Sequence, residues 1–327
     1  MDVYFTKNIN SESIAHLYRQ LNADLSGTTA IKVHFGEKGN TRYVHPKYIK
    51  PISDQIENAF VTDTNTLYRG MRLNSKDHLQ IAKEHGFELL EKPIIIADQQ
   101  VDIPTNTTHF KNVHIAKQIA DADSMLVISH FKGHPLFGFG GALKNLGMGC
   151  GTRAGKLAMH SKIIPSIGPD CIACGECADN CAVNAITIDD KAVIKEEICI
   201  GCAKCIAVCP VGAVKIPWSG ATSDEAQERC AEYALGAIRD KPCVYVTFIN
   251  NLTKGCDCGP DSEIIGNDIG VIASCDPVAA DQAAYDLIKR HHRSDIFKDA
   301  TNVEGTHILD YAEQIGAGTR DYTLHEL

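Results

Sequence analysis

The chain has 327 residues, 44% hydrophobic and 22% charged, which suits about two domains, or one large domain with an insertion, and excludes wholesale disorder. Its 32 Lys+Arg stand against 41 Asp+Glu, and the net charge of −9 excludes a nucleic-acid binder that works through the phosphate backbone. Fourteen cysteines are the outlier: eight fall between Cys171 and Cys209, a clustering that calls for metal rather than a secreted disulfide framework.

The first residues lack a basic start followed by an apolar run, and no apolar stretch reaches the roughly 18 residues of a transmembrane helix. No membrane is expected. The many thiols suit a reducing cytoplasm, and oxygen-labile clusters would fit an anaerobic cell. In chain order, Ser11 reads as the N-cap of a helix with Ile14, Leu17, Tyr18 and Leu21 on one face. Strands are predicted at 31–35, 60–63, 94–97 and 125–129, with a helix between the first two carrying Ile49, Ile52 and Ile56. From 168 to about 217 short cysteine-rich turns replace this texture. It then resumes with a capping box at Thr222–Glu225, a helix burying Ala226, Cys230, Tyr233, Ala234 and Ala237, strands at 244–249 and 269–273, and a cap at Asp276-Pro277. Strand–helix alternation predicts an α/β domain with a mainly parallel sheet, formed by residues 1–165 and 218–327 and interrupted by a small module at 166–217.

That module contains Cys171-x2-Cys174-x2-Cys177-x3-Cys181 and Cys199-x2-Cys202-x2-Cys205-x3-Cys209-Pro210. Three thiolates two residues apart on a tight loop can reach three irons of one cubane, while the fourth points away toward a second. Over about 50 residues the module resembles a bacterial two-cluster ferredoxin, a small α+β fold. The resemblance assigns Cys171, Cys174, Cys177 and Cys209 to one [4Fe–4S] cluster, and Cys199, Cys202, Cys205 and Cys181 to the other. It departs from that family in having Ala182, not proline, after Cys181. Two such clusters would move single electrons. Glu176, Asp179, Glu196 and Glu197 would lower their potential and Lys204 would raise it.

Ligands of an open parallel sheet bind beyond the carboxyl ends of its strands. Polar residues gather there: His34 to Arg42 after the first predicted strand, Asp63 and Arg69 after the second, His130, Lys132 and His134 after the fourth. Asn250 and Cys256-Asp257-Cys258 follow the penultimate strand, and Ser274, Cys275 and Asp276 the last. His34 and His130 read equally as strand-end hydrogen-bonders, whereas His134 is better placed for acid–base work. The glycine-rich 138–151 segment could offer backbone amides to an anion through Gly140, Gly141 and Asn145, with Lys144 as counter-charge, or could be a closely packed loop. A dinucleotide fingerprint is not cleanly met, and no residue demands a flavin. Cys230 and Cys243 read as packing residues. Cys256 and Cys258 read as ligands of a third metal or cluster, as a redox dithiol, or as ordinary thiols, with Cys150 and Cys275 near the same pocket.

The stretches 31–42, 63–67, 129–134, 138–150, 256–258 and 269–284 are similar to ferredoxin-containing members of the domain-of-unknown-function family 362. The resemblance implies an α/β domain plus electron-transfer clusters, and no reaction. A fainter similarity around 140–149 to the nickel-dependent lactate racemase group implies only a fold and a loop facing an anion or cofactor. The expectation is an iron–sulfur redox protein serving a site of His34, Lys132, His134, Lys144, Cys256 and Cys258, with a small anionic substrate and a redox partner protein. The alternatives are an electron carrier or subunit docking to a partner oxidoreductase, and a redox-sensing or metal-assembly protein.

Overall fold

The computed structural model describes residues 1–161, 164–218 and 220–327. Its frame is an eight-stranded sheet. In chain order the strands are β1 (Asp2–Thr6), β2 (Thr29–Lys32), β3 (Ala59–Thr64), β4 (Ile94–Ala97), β5 (Ser124–His130), β6 (Cys243–Ile249), β7 (Gly270–Ser274) and β8 (Thr323–Glu326). Their spatial order is β8-β1-β7-β6-β5-β2-β3-β4. Strands β4, β3, β2, β5 and β6 run parallel, β7 is antiparallel to both neighbours, and β8 is parallel to β1. The mainly parallel α/β sheet is therefore as the alternation predicts.

The helices are α1 (Ser11–Gln20), α2 (Pro46–Ser53), α3 (Ser75–Glu84), α4 (Ala142–Cys150), α5 (Arg153–His160), α6 (Ser223–Ala237), α7 (Pro277–His292) and α8 (His307–Gln314). The period-2 alternation of the strands sends successive side chains to opposite faces, and two apolar cores result. Ile31, Val61, Leu126, Val244 and Val271 join Ile14, Leu17, Ile49 and Ile52 of α1 and α2. Ala30, Phe60, Met125, Tyr245 and Ile272 join residues of α4, α6, α7 and α8. Caps fix the helix entries. Thr222 and Glu225 form the predicted reciprocal box, and Asp276 accepts from the Val278 and Ala279 amides ahead of α7. The cap of α1 is Asn10, not Ser11: its side chain accepts from the Ser13 amide at 2.9 Å, and Ser11 is the first helical residue.

Residues 166–215, between β5 and β6, add no strand to the main sheet. Ser166–Ile167 pairs with Val214–Lys215, and Ile186–Ile188 with Ala192–Ile194. A third apolar cluster around Cys177, Ile186, Ala203 and Ile206 includes Leu67 and Leu157, so this segment packs on the loop after β3 and on α5. Among the described residues no helix is long and apolar enough to cross a membrane.

Candidate functional site

Because five neighbouring strands run the same way, their carboxyl ends open on one side of the sheet. A cavity of about 370 Å³ lies there. His34, Lys132, His134 and Lys144 all line it, as do Gly140, Gly141, Asn145, Cys256 and Cys258. Cys275 and Asp276 do not. Strand β7 runs backward, so they emerge at the opposite edge, where Cys275 is exposed and Asp276 caps α7. Cys150 is wholly buried in the core beneath the cavity, and burial pushes its thiol up to about 11. Cys230 is buried in the same core, while Cys243 is half-buried and packs against it. Arg69 turns away to the Pro210 carbonyl at 2.9 Å.

The cavity floor is ionic. Asp63, at the end of β3, lies 3.1 Å from the Lys32 ammonium and 3.2 Å from the Arg72 guanidinium, all three nearly inaccessible to solvent. Burial alone would raise the Asp63 pKa, but Lys32, His78, His34 and Arg72 outweigh it and hold the carboxyl well below the usual range. Lys32 also donates to Asn145 Oδ1 at 2.8 Å, and Asn145 donates to the Ile128 carbonyl. Lys156 reaches the Thr64 hydroxyl and the Gly151 carbonyl, with burial bringing it down to about 7. Sequence reasoning missed Lys32, Arg72, Lys156, His160 and Trp218. A lysine in a β-strand and an arginine eight residues past one were the only available signals.

Asp257 is a second buried carboxylate. It accepts from His130 Nδ1 at 2.9 Å and pairs with Lys132 at 3.1 Å, while His130 Nε2 donates to the Asn250 carbonyl. Both ring nitrogens of His130 are engaged, the strand-end reading of that residue. His134 Nδ1 accepts from the Leu136 amide at 3.1 Å, which puts the proton of the neutral ring on Nε2. Burial, then Lys144, holds its pKa well below the ordinary value. The Lys144 ammonium lies 5.4 Å over the Phe137 ring and pairs with no carboxylate among the described residues. His160 packs edge-on against Trp218, and its Nδ1 is buried with no hydrogen-bond partner among the described residues.

The glycine segment has a different internal use. The amides of Ala142 and Leu143, at the start of α4, donate to the buried Asp281 carboxylate at 2.6 and 2.9 Å. A Cβ on Gly141 would stand 2.1 Å from Asp281 Oδ1, so the close approach requires glycine. Burial raises Asp281 to about 7 against those two hydrogen bonds. With the Ala142 and Leu143 amides taken by the protein's own carboxylate, Lys144 is the cation this segment brings to the cavity.

The eight clustered cysteines fall into two sets in space. Cys171, Cys174, Cys177 and Cys209 line one small apolar cavity. Cys181, Cys199, Cys202 and Cys205 line another. Each set takes three cysteines from one motif and the last from the other. The two loops repeat each other at an offset of 28 residues: Ala173 and Gly201, Gly175 and Ala203, and Asn184 and Gly212 all have positive φ. The Ala185 and Ala213 amides donate to the sulfurs of Cys181 and Cys209 at 3.2 and 3.1 Å. Among the described residues, no three or more His, Cys, Asp or Glu side chains are drawn together tightly enough to be a formed metal site. The donor set, four thiols around an apolar hollow with amides aimed at sulfur, fits a thiolate-ligated cluster.

Residues 29–286 match the family described as a domain of unknown function, DUF362. No curated protein matches the chain significantly. Among solved structures, the lactate racemase apoprotein from Thermoanaerobacterium thermosaccharolyticum is 14% identical, with 86% of this chain covering 55% of that one at a TM-score of 0.42. A protein from Thermotoga maritima is 10% identical, with 86% covering 58% at a TM-score of 0.43. The chain thus spans a little over half the length of these two structures.

Proposed function

The chain belongs to the DUF362 family, and from that membership together with the site we propose that it is an iron–sulfur redox protein acting on a small anionic ligand. Residues 166–217 form the cluster-bearing insert, flanked by the two parts of the α/β domain. The carrying observation is the interleaving of the cysteines, with each quartet of three plus one lining its own hollow. Cys171, Cys174, Cys177 and Cys209 would hold one [4Fe–4S] cluster, and Cys181, Cys199, Cys202 and Cys205 the other; bound clusters supply single-electron transfer. Leu67, on the cavity wall, packs in the same apolar cluster as Cys177, and Arg69 holds the carbonyl that follows Cys209. These contacts tie the insert to the ligand site.

In the cavity, Lys144 neutralises the anionic group while Leu67, Leu136 and Trp218 cover its apolar part. Lys132 is positioned by Asp257, and His134 presents an Nε2 proton. The setting is the cytoplasm, with a redox partner protein. Iron and sulfide analysis of anaerobically purified protein tests this reading. About eight irons per chain, and paired paramagnetic centres after dithionite, are expected for two cubanes. Four or fewer irons refutes it.

A second reading, an electron-carrier subunit without chemistry of its own, is favoured by Ile172 and Ile200. Each follows the first cysteine of its motif, and they are 60% and 62% exposed. A basic partner would suit the acidic residues around them. Co-purification with an oxidoreductase, and no ligand binding by the chain alone, would select it.

A further inference from the structure

We propose that Cys256 and Cys258 form a reversible dithiol–disulfide couple open to the cavity, with Cys258 as the attacking thiolate and small anionic disulfides as its co-reactants. This concerns the same cavity as the reading above but needs no electrons from the clustered cysteines.

The geometry assigns the roles. The two thiols are one residue apart, yet both line the cavity, because the intervening Asp257 turns inward to His130 and Lys132. Residues two apart in a turn lie within the roughly 4.4–6.8 Å Cα separation that a disulfide tolerates. A ring N–H faces Cys258. His34 Nδ1 accepts from the Gly36 amide at 3.0 Å, so the neutral ring carries its proton on Nε2, which faces Cys258 Sγ at 3.8 Å. Tyr68 lines the same cavity. Arg72, bonded to Tyr68, adds positive charge near Cys258. The neighbouring Cys256 and His34 lower the Cys258 pKa against the cost of burial, while the pKa of Cys256 is raised. The His34 N–H and the Arg72 charge lie on the Cys258 side of the pair, which makes its sulfur the better nucleophile. Both residues are half-buried, so a ligand in the cavity can reach them.

The reaction balances with a disulfide R–S–S–R. Cys258 sulfur attacks one sulfur of the oxidant, the S–S bond breaks, and RS⁻ departs with the electron pair. The Cys256 proton passes to that leaving thiolate, and Cys256 then attacks Cys258 sulfur. The Cys256–Cys258 bond forms and a second RS⁻ is expelled. Two electrons move from the cysteine pair to the oxidant; a dithiol such as dithiothreitol runs the sequence backward.

The test exposes the full-length, anaerobically purified protein to 2,2′-dithiodiacetate, a small dianionic disulfide, or to neutral 2-hydroxyethyl disulfide. Free thiols are then pulse-alkylated and the peptides mapped by mass spectrometry. The expected product has lost two hydrogens, with the linkage localised to Cys256–Cys258 and reversed by dithiothreitol. Cys256→Ser should stop at a one-to-one mixed disulfide on Cys258. His34→Gln should slow alkylation of Cys258 at pH 7 at least tenfold. Lys144→Met should slow the dianionic disulfide about tenfold more than the neutral one. Both thiols remaining freely alkylated, or Cys256 being the residue trapped, overturns the proposal. Iron measured on the same samples separates the two readings. Normal iron without the disulfide refutes only this inference, and the disulfide in a chain that binds no iron refutes only the cluster reading.

Discussion

Replacing Asp63 with asparagine removes one charge from the floor of the cavity and leaves Lys32 without a carboxylate partner among the described residues. In the native protein this carboxylate is 3.1 Å from Lys32 and 3.2 Å from Arg72, and neither cation's side chain is more than 2% exposed. Breaking a buried ion pair from one side costs about 3–5 kcal/mol, because the remaining charge keeps its desolvation penalty without its partner. Glu37 at 3.6 Å offers Arg72 a second partner, while among the described residues Lys32 retains the Asn145 and Val33 oxygens. A loss of about 4 kcal/mol at pH 7 is therefore expected, a large share of the roughly 5–15 kcal/mol of a folded protein. The assay is urea unfolding followed by the fluorescence of Trp218, the sole tryptophan. The pH dependence gives an internal check. The folded carboxyl is held well below its unfolded value. Its stabilisation is therefore full above the unfolded pKa near 4 and is lost as pH falls through the depressed folded pKa. Wild type and Asp63→Asn should converge in acid. Adding Lys32→Met to Asp63→Asn should recover part of the loss. A single variant within 1 kcal/mol of wild type at pH 7, or curves that stay parallel into acid, would refute the reasoning.

Three further outcomes follow from the same structure. Gly141→Ala brings a methyl to 2.1 Å from Asp281 Oδ1; it should lower stability by about 1–3 kcal/mol, read from the thermal midpoint. Lys156 is held at about 7 by burial, so the unfolded chain binds more protons than the folded one from there up to the ordinary lysine pKa. Stability should rise with pH across that window, and Lys156→Met should remove this part of the slope in unfolding titrations at pH 6 to 10. Cys181→Ser should disturb the centre whose other cysteines are Cys199, Cys202 and Cys205, not the one nearest in sequence; spectra resembling those of Cys202→Ser rather than Cys174→Ser would bear this out, and the reverse would refute the interleaving.

The parallel sheet was legible because its strands are short β-branched runs set between amphipathic helices. Strands β1 and β8 were not: Asp2–Thr6 and Thr323–Glu326 are half polar and pair across more than 300 residues, which no local pattern records. The cavity could be placed because strand ends carried histidines, lysines and thiols. Its errors share one cause, orientation. Cys275 looked equivalent to Cys258 until the reversed β7 sent it to the far edge. In the glycine loop, the Ala142 and Leu143 amides are held by Asp281, 139 residues beyond Ala142, a pairing no local pattern records. Lys32 and Arg72 were hidden because a buried charge is recognisable only beside the partner that permits it.

The pairing of β1 with β7 and β8 also sets an order of events during synthesis. Among the described residues β1 pairs with no other strand of the sheet, so it has no strand partner until about 270 further residues have been made. At roughly 5–20 residues per second that wait is of order 15–50 s. Throughout it Val3 and Phe5, wholly or almost wholly buried in the finished protein, have no sheet to join. Strands β2 to β5 and the cysteine-rich segment all precede β7 in the chain. The sheet therefore grows from its middle and closes its β1 edge last, long after β1 itself has been made.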